Sequence, residues 1–446
     1  MLESARARMA AVLVVDVASG EIEAAASAHT PCYQAHHQGA QRKGCLPLPQ
    51  AAENRPWKVT NQALHGEAMC GSLCKIGQAL ALLRVSSPLT QSTADFSEAI
   101  RQSQTERFID EFMCVDRGFS PQCNQNRLNA LVQATHDLGG YSACAKGDSK
   151  CQALNLMSGE EQGVFNVSRL RLLSNPAAPA ASLVDADDYK PGSKNFTLEA
   201  VRNCYANGHP KRWRDCQGIG LVASVAELFG QGNAHVSPVG VAELLFTLTA
   251  AAQGAPHGAV SIIKRAETGA GIGVPAVAPQ HARRLLEALL EPVKPSGTAH
   301  SSCVKAMAGD SLMNCNNTGR WVVASKTGTP LFPHDAMNYQ RRQQACDKVK
   351  ALSDGIVRRH EWARCVVPPT KWYAYVLGKS DGQGIVWTKI VVVLTERNWS
   401  ARTGLIDSPF DRGGNVAAEI GLRLARQLAE AAEHQNLTET IHGAAP

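Results

Sequence analysis

Strand-like runs at both ends of the chain, with helical runs between them, predict an α+β fold. The expected architecture is an antiparallel sheet of about five strands formed by both chain ends, flanked by helices, with an inserted, mainly helical lobe. Three observations lead there. The apolar runs 10–16 and 21–27 flank Ala18-Ser19-Gly20 and read as a hairpin. Trp321–Ala324, Trp372–Val376 and Val386–Leu394 are three further strand-like runs near the other end. A helical stretch from Val416 to Ala432 then closes the chain. On this reading 1–446 is a single unit of two lobes, with 1–30 and 318–446 forming the sheet lobe and 65–317 the mainly helical lobe.

Taken in order, residues 31–60 are irregular and rich in Pro, Gln and Gly. After Gly71, the stretch Ser72–Leu83 places apolar residues at helical spacing, with Ser72 near the start. Segments 127–138, 221–229 and 281–291 read as further helix candidates. Segment 237–251 is another, opened by Ser237-Pro238 as cap and first-turn residue. The stretches 140–216 and 331–369 are Cys-rich insertions.

Composition narrows the function classes. A chain of 446 residues with 44% hydrophobic and 19% charged residues can bury a sizeable core and is not of disordered type. Its 45 Lys+Arg against 39 Asp+Glu give a net charge of +6, spread along the sequence. No block of like charge forms a nucleic-acid or polybasic membrane patch. The run Met9–Val15, behind Arg6 and Arg8, is far too short to span a bilayer and is ended by Asp16, so it reads as a strand. If the protein is exported, its export or membrane-anchor segment is expected to be absent from this chain.

The 14 cysteines say more. No Cys-x-x-Cys and no His pair at zinc spacing occurs, so no metal is expected. As sequence neighbours they fall into pairs separated by 13, 4, 9, 7, 12, 12 and 19 positions. That pattern suits short loops stapled in an oxidising compartment; a cytosolic protein with buried thiols is the other reading. Connectivity is not readable from spacing. Cys70 and Cys74 bracket Ser72, and three roles stay open for them: a bridge, apolar fillers, or an oxidation-sensitive pair. The tandem His36-His37 reads as loop. So does Gly269-Ala-Gly-Ile-Gly273, whose glycine spacing is not that of a dinucleotide loop, and no cofactor is expected.

The chemistry concentrates in two short motifs. Ser72-x-x-Lys75 sets a hydroxyl and an amine on one helix face. A lysine kept neutral by burial or by neighbouring cations can take the serine proton. The match is common by chance, and Ser302-Cys-Val-Lys305 is a second one, in a segment that reads as a loop. Ser325-Lys326-Thr327-Gly328-Thr329 follows an apolar strand. There a lysine and hydroxyls can hold a carboxylate, and a glycine admits a substrate backbone.

Ser-x-x-Lys opening a helix, followed much later by Lys-Thr-Gly on a strand, is the motif set of serine β-lactamases and penicillin-binding proteins. The sequence resembles the transpeptidase domain of penicillin-binding proteins. Val14-Val-Asp-Val-Ala-Ser-Gly-Glu-Ile-Glu-Ala-Ala-Ala26, Phe229-Gly-Gln-Gly-Asn-Ala-His-Val-Ser-Pro238 and Trp372-Tyr-Ala-Tyr375 resemble further family segments in family order. The resemblance implies Ser72 as acylated nucleophile and Lys75 as its base. It implies that Lys326, Thr327 and Thr329 hold the substrate carboxylate and polarise the site, with Gly328 in the same substrate-binding strand. The backbone N–H groups of Ser72 and Thr329 would form the oxyanion hole.

The family's Ser-x-Asn motif is not matched cleanly. Gln122-Cys123-Asn124 stands in the expected region, so Asn124 is expected to bind substrate; Ser193-Lys-Asn195 is the alternative. The implied activity is D,D-transpeptidation of D-Ala-D-Ala stem peptides in peptidoglycan cross-linking, through an acyl-enzyme. β-Lactams would act as covalent inhibitors, and cell-wall assembly proteins are candidate partners. The implied location is the periplasm or cell envelope. Two alternatives stand beside it: a D,D-carboxypeptidase or β-lactamase, and a non-catalytic cell-wall scaffold.

Overall fold

The computed structural model describes residues 7–29, 61–65, 68–118, 120–138, 235–255, 260, 277–329, 370–397 and 416–443. Segments 221–229, 140–216 and 331–369, His36-His37, Gly269–Gly273 and Ser193–Asn195 lie outside these residues.

The two chain ends build one sheet. β1 (Ala7–Asp16) and β2 (Ile22–His29) form the hairpin, turned where Gly20 takes a left-handed φ of 72°. A two-residue ribbon pairs β3 (Ala68–Met69) with β4 (His235–Val236). β5 (Trp321–Gly328), β6 (Thr370–Ser380) and β7 (Ile385–Arg397) come from the far end. The order is β2-β1-β7-β6-β5, antiparallel throughout, so β1 docks on β7 and joins the two ends. Alternation divides the sheet's side chains between two cores. Trp372, Ala374 and Val376 face the helical lobe, whereas Tyr373, Tyr375 and Leu377 face the other way.

The helical lobe is wound around α1 (Lys75–Arg84), buried from Lys75 to Leu83. A helix covered on all sides is a core helix. α2 (Thr93–Arg101) is capped by Ser92, which accepts from Asp95 N–H at 3.2 Å. α3 (Thr105–Phe112) and α4 (Pro121–Asp137) follow, and α4 packs on α1. α5 (Pro238–Gln253) has the cap read from the sequence: Ser237 Oγ accepts from Gly240 N–H at 3.1 Å, with Pro238 in the first turn. α6 (Pro279–Leu289) packs on α5. α7 (His300–Ala306) and the terminal α8 (Val416–Gly443) cover the sheet's other face.

One local expectation fails. Ser302 and Lys305 lie on α7, not in a loop; Ser302 is buried and Lys305 exposed, so the second Ser-x-x-Lys does not turn both groups to one site. Among the described residues three disulfides form, all between sequence neighbours: Cys70–Cys74, Cys114–Cys123 and Cys303–Cys315.

Candidate active site

The Ser72 segment begins as a 3-10 turn, Gly71–Cys74, that runs into α1 at Lys75. Gly71 enters it with a left-handed φ of 51°, a conformation that strains other residues. Three positions separate Ser72 from Lys75, so both point the same way, and Lys75 Nζ lies 3.0 Å from Ser72 Oγ.

Lys75 is fully buried, yet oxygen surrounds its amine. Ser103 O at 2.8 Å, Ser103 Oγ at 3.0 Å and Thr105 Oγ1 at 2.6 Å accept from it, beside Ser72 Oγ. Burial, then the nearby Lys326 charge, hold its pKa well below the usual lysine range. A neutral amine has two N–H groups and one lone pair. The N–H groups can bond Ser103 O and Thr105 Oγ1, which leaves the lone pair to accept from the Ser72 hydroxyl.

Lys326 arrives from the sheet. On β5 it points to the helical lobe, where its Nζ donates to Ser103 Oγ at 2.8 Å and to Thr327 O at 3.1 Å. Burial lowers its pKa to about 7. One serine hydroxyl therefore touches both lysine amines and ties the lobes together. The Lys326 charge thus adds to burial in favouring a neutral Lys75 amine, the form that can act as a base.

Ser103 was missed in the sequence reading, and its local structure shows why it is there. It follows α2 with a left-handed φ of 54°. Its N–H bonds Ile100 O at 3.2 Å and the Gln104 N–H bonds Ala99 O at 3.0 Å. That is a helix-ending motif in which glycine usually takes the left-handed position. A serine there carries a modest conformational cost, of the kind found at working sites. Ser103-Gln104-Thr105 lies between α2 and α3 but ends in Thr, so a search for Ser-x-Asn passes over it.

Asn124 is not brought to the lysines by any bond described. It is buried on α4, and its Nδ2 donates to Phe112 O at 2.6 Å. One turn on, the Arg127 guanidinium bonds Glu111 O and pairs with Asp116 at 3.3 Å. These contacts and the Cys114–Cys123 bridge clamp the chain after α3, a structural task. Ser103 and Thr105, not Asn124, are the residues bonded to Lys75.

The other strand residues close the cleft. Thr327 Oγ1 lies 2.9 Å from Thr298 Oγ1, and the Thr298 N–H reaches Arg101 O, two residues before Ser103, at 3.1 Å. Thr329 Oγ1 accepts from the buried Lys371 at 3.1 Å, which adds a cation the sequence reading did not include. Gly328 lies directly against the Ser72 turn: a Cβ there would fall 2.8 Å from Cys70 O and 2.9 Å from Trp372 Cβ. Among the described residues no group of three or more His, Cys, Asp or Glu could hold a metal ion.

Fold and site together define a serine–lysine centre between a helical lobe and the edge of an antiparallel sheet. No family model and no curated protein matches the sequence. Among solved structures the chain is similar to the transpeptidase domain of penicillin-binding protein 3 from Burkholderia pseudomallei, at 12% identity and a TM-score of 0.41, covering 97% of this chain and 90% of that one. It is also similar to the transpeptidase domain of the FtsI4 D,D-transpeptidase from Legionella pneumophila, at 12% identity and a TM-score of 0.39, over 96% and 91% of the two chains. A third is a peptidoglycan glycosyltransferase from Burkholderia ambifaria, at 12% identity and a TM-score of 0.38, over 95% and 92%. The functional reading rests on the site geometry.

Proposed function

We propose that the chain is a serine D,D-transpeptidase of the penicillin-binding class, acting on D-Ala-D-Ala stem peptides in peptidoglycan cross-linking. The observation that carries this reading is the convergence of Lys75 and Lys326 on Ser103, with Lys75 Nζ 3.0 Å from Ser72 Oγ. Neutral Lys75 takes the Ser72 proton as Oγ attacks the carbonyl carbon of the D-Ala-D-Ala amide. The tetrahedral oxyanion is held by the backbone N–H groups of Ser72 and Thr329. As the C–N bond breaks, the leaving D-Ala amine takes the proton back, by way of Lys75 and Ser103, and an ester to Ser72 remains. An acceptor amine then attacks the ester and restores the Ser72 hydroxyl. Lys326, Thr327 and Thr329 hold the terminal carboxylate of the donor. A β-lactam opens on the same serine and stays there as an ester.

Such a substrate places the protein in the periplasm or cell envelope. Among the described residues no helix is long and apolar enough to cross a membrane.

The test is release of D-Ala from a peptide ending in D-Ala-D-Ala, with and without an amine acceptor. The wild type is expected to release D-Ala and to form the acceptor adduct, and Ser72→Ala to do neither. Release that yields only the hydrolysed peptide would reassign the enzyme as a carboxypeptidase. Absence of both release and acylation by penicillin would leave a non-catalytic scaffold.

A further inference from the structure

The turn that carries Ser72 is closed by a covalent bond. Cys70 and Cys74 flank it, are both buried, and form a disulfide with Cα atoms 5.8 Å apart. The ordinary devices that hold such a turn are missing. Cys70 precedes it and Cys74 precedes α1, yet neither side chain makes a capping hydrogen bond, and no acidic residue occupies either first turn. Gly71 adds backbone freedom, and 3-10 bonds are weak in geometry.

The bridge is also poorly suited to stabilising the whole fold. The chain-entropy gain of a disulfide grows with the loop enclosed. Cys114–Cys123 and Cys303–Cys315 enclose separations of 9 and 12 residues, whereas Cys70–Cys74 encloses only 4. The shortest bridge among the described residues thus sits where a fixed geometry matters most: across the nucleophile, next to the Lys75 base and against Gly328.

We propose that the Cys70–Cys74 disulfide is a positioning device for the nucleophile, holding Ser72 Oγ against the buried Lys75 amine and keeping water from that amine. The inference rests on the acyl-transfer reading of Ser72. Opening the bond needs two electrons and two protons, supplied by a dithiol reductant. One reagent thiolate attacks a cysteine sulfur, the second displaces it, and two cysteine thiols and a cyclic reagent disulfide result. The reduced protein keeps both sulfur atoms, so its packing changes far less than in a truncation.

The experiment compares oxidised wild type, dithiol-reduced wild type and Cys70→Ala/Cys74→Ala, with mass spectrometry confirming the state of the 70–74 bridge. Two quantities are read: the rate of acylation by a labelled penicillin across pH, and the titration of Lys75 by NMR of 13C-lysine protein, which needs no turnover. Opening the bridge is expected to slow acylation by about tenfold or more, since small misplacements of reacting groups carry such costs. Water reaching the amine should raise the Lys75 pKa, so the rising limb of the acylation profile moves to higher pH. The double variant should match the reduced wild type and be indifferent to dithiol.

Unchanged acylation and an unchanged Lys75 titration in the confirmed reduced state would overturn the proposal. So would a dithiol effect that persists in the double variant, which would belong to the other bridges. If the oxidised wild type fails to acylate at all, the acyl-transfer reading falls, while the Lys75 titration still decides whether the bridge positions the pair.

Discussion

Two clusters of buried polar groups on opposite faces of the central sheet, one of lysines and one of hydroxyls, are treated in opposite ways. Towards the helical lobe, Lys75 has four oxygen neighbours, and Lys326 bonds Ser103 Oγ and Thr327 O. Towards α8, the hydroxyls of Ser325, Tyr373 and Tyr375 are buried with no hydrogen-bond partner. Burial pushes both phenols well above their usual range; the nearby Ser325 hydroxyl opposes this for Tyr373, though its geometry falls short of a hydrogen bond. The difference separates a polar network held ready for chemistry from polar atoms carried along by side chains that fill space. Buried polar groups mark a site here only where they converge and are bonded.

The contrast can be broken most sharply at the base. Lys75→Met is expected to lower the penicillin acylation rate about 10³-fold or more, and Ser103→Ala about 10²-fold, in line with general acid–base contributions. Stopped-flow acylation measures both, and circular dichroism melts check that the fold survives. Loss of activity with Lys75→Met but none with Ser103→Ala would remove Ser103 from the proton path.

Acidity provides the second test. In the free enzyme Lys75 must be neutral to accept a proton, so kcat/KM should rise with pH through a value well below that of an ordinary lysine. Lys326 must be charged to hold a carboxylate, so kcat/KM for a carboxylate-bearing donor should fall as pH climbs past about 7. An amidated donor, lacking that charge, should lose the falling limb. Stability should follow the opposite trend. Lys326 is held at about 7 in the fold and returns to the ordinary lysine value of 10.5 on unfolding, so the unfolded chain binds more protons between those values and stability rises with pH across that window.

Matched glycine substitutions compare the faces directly. Gly328→Ala would set a Cβ 2.8 Å from Cys70 O, wedging β5 from the Ser72 turn; acylation should drop about tenfold or more. Gly421→Ala would set a Cβ 2.6 Å from Tyr373 Cδ1 on the far face. That overpacking should cost ~1–3 kcal/mol of stability with the acylation rate unchanged. The smallest effect is expected for Tyr375→Phe, which deletes a hydroxyl with no partner and should shift stability by less than ~1 kcal/mol in either direction. Urea melts distinguish these outcomes.

Much of the frame was legible because its signals are local. Alternation and Gly20 mark the β1–β2 hairpin, apolar runs mark β5 to β7, and Ser237-Pro238 marks the start of α5. Ser72, Lys75 and Lys326 were legible as motifs. The meeting of the two lysines at Ser103 was not, because it joins three distant parts of the chain through a serine in a glycine-like conformation. α2 and α3 also escaped, although Ser92 capping Asp95 is a recognisable start. Asn124 attracted attention by residue type, yet its amide is bonded to Phe112 O. Ser302-x-x-Lys305 shows the converse: the same spacing as the site, on a real helix, with one group buried and the other in solvent.

The most direct measurement is peptide mapping by mass spectrometry after incubation with a penicillin. The acyl mass is expected on the peptide bearing Ser72 in the wild type, and on no peptide in Ser72→Ala. An unmodified wild type, or an adduct on Ser302 or any other residue, would contradict the assignment of Ser72 and Lys75 as the acyl-transfer pair.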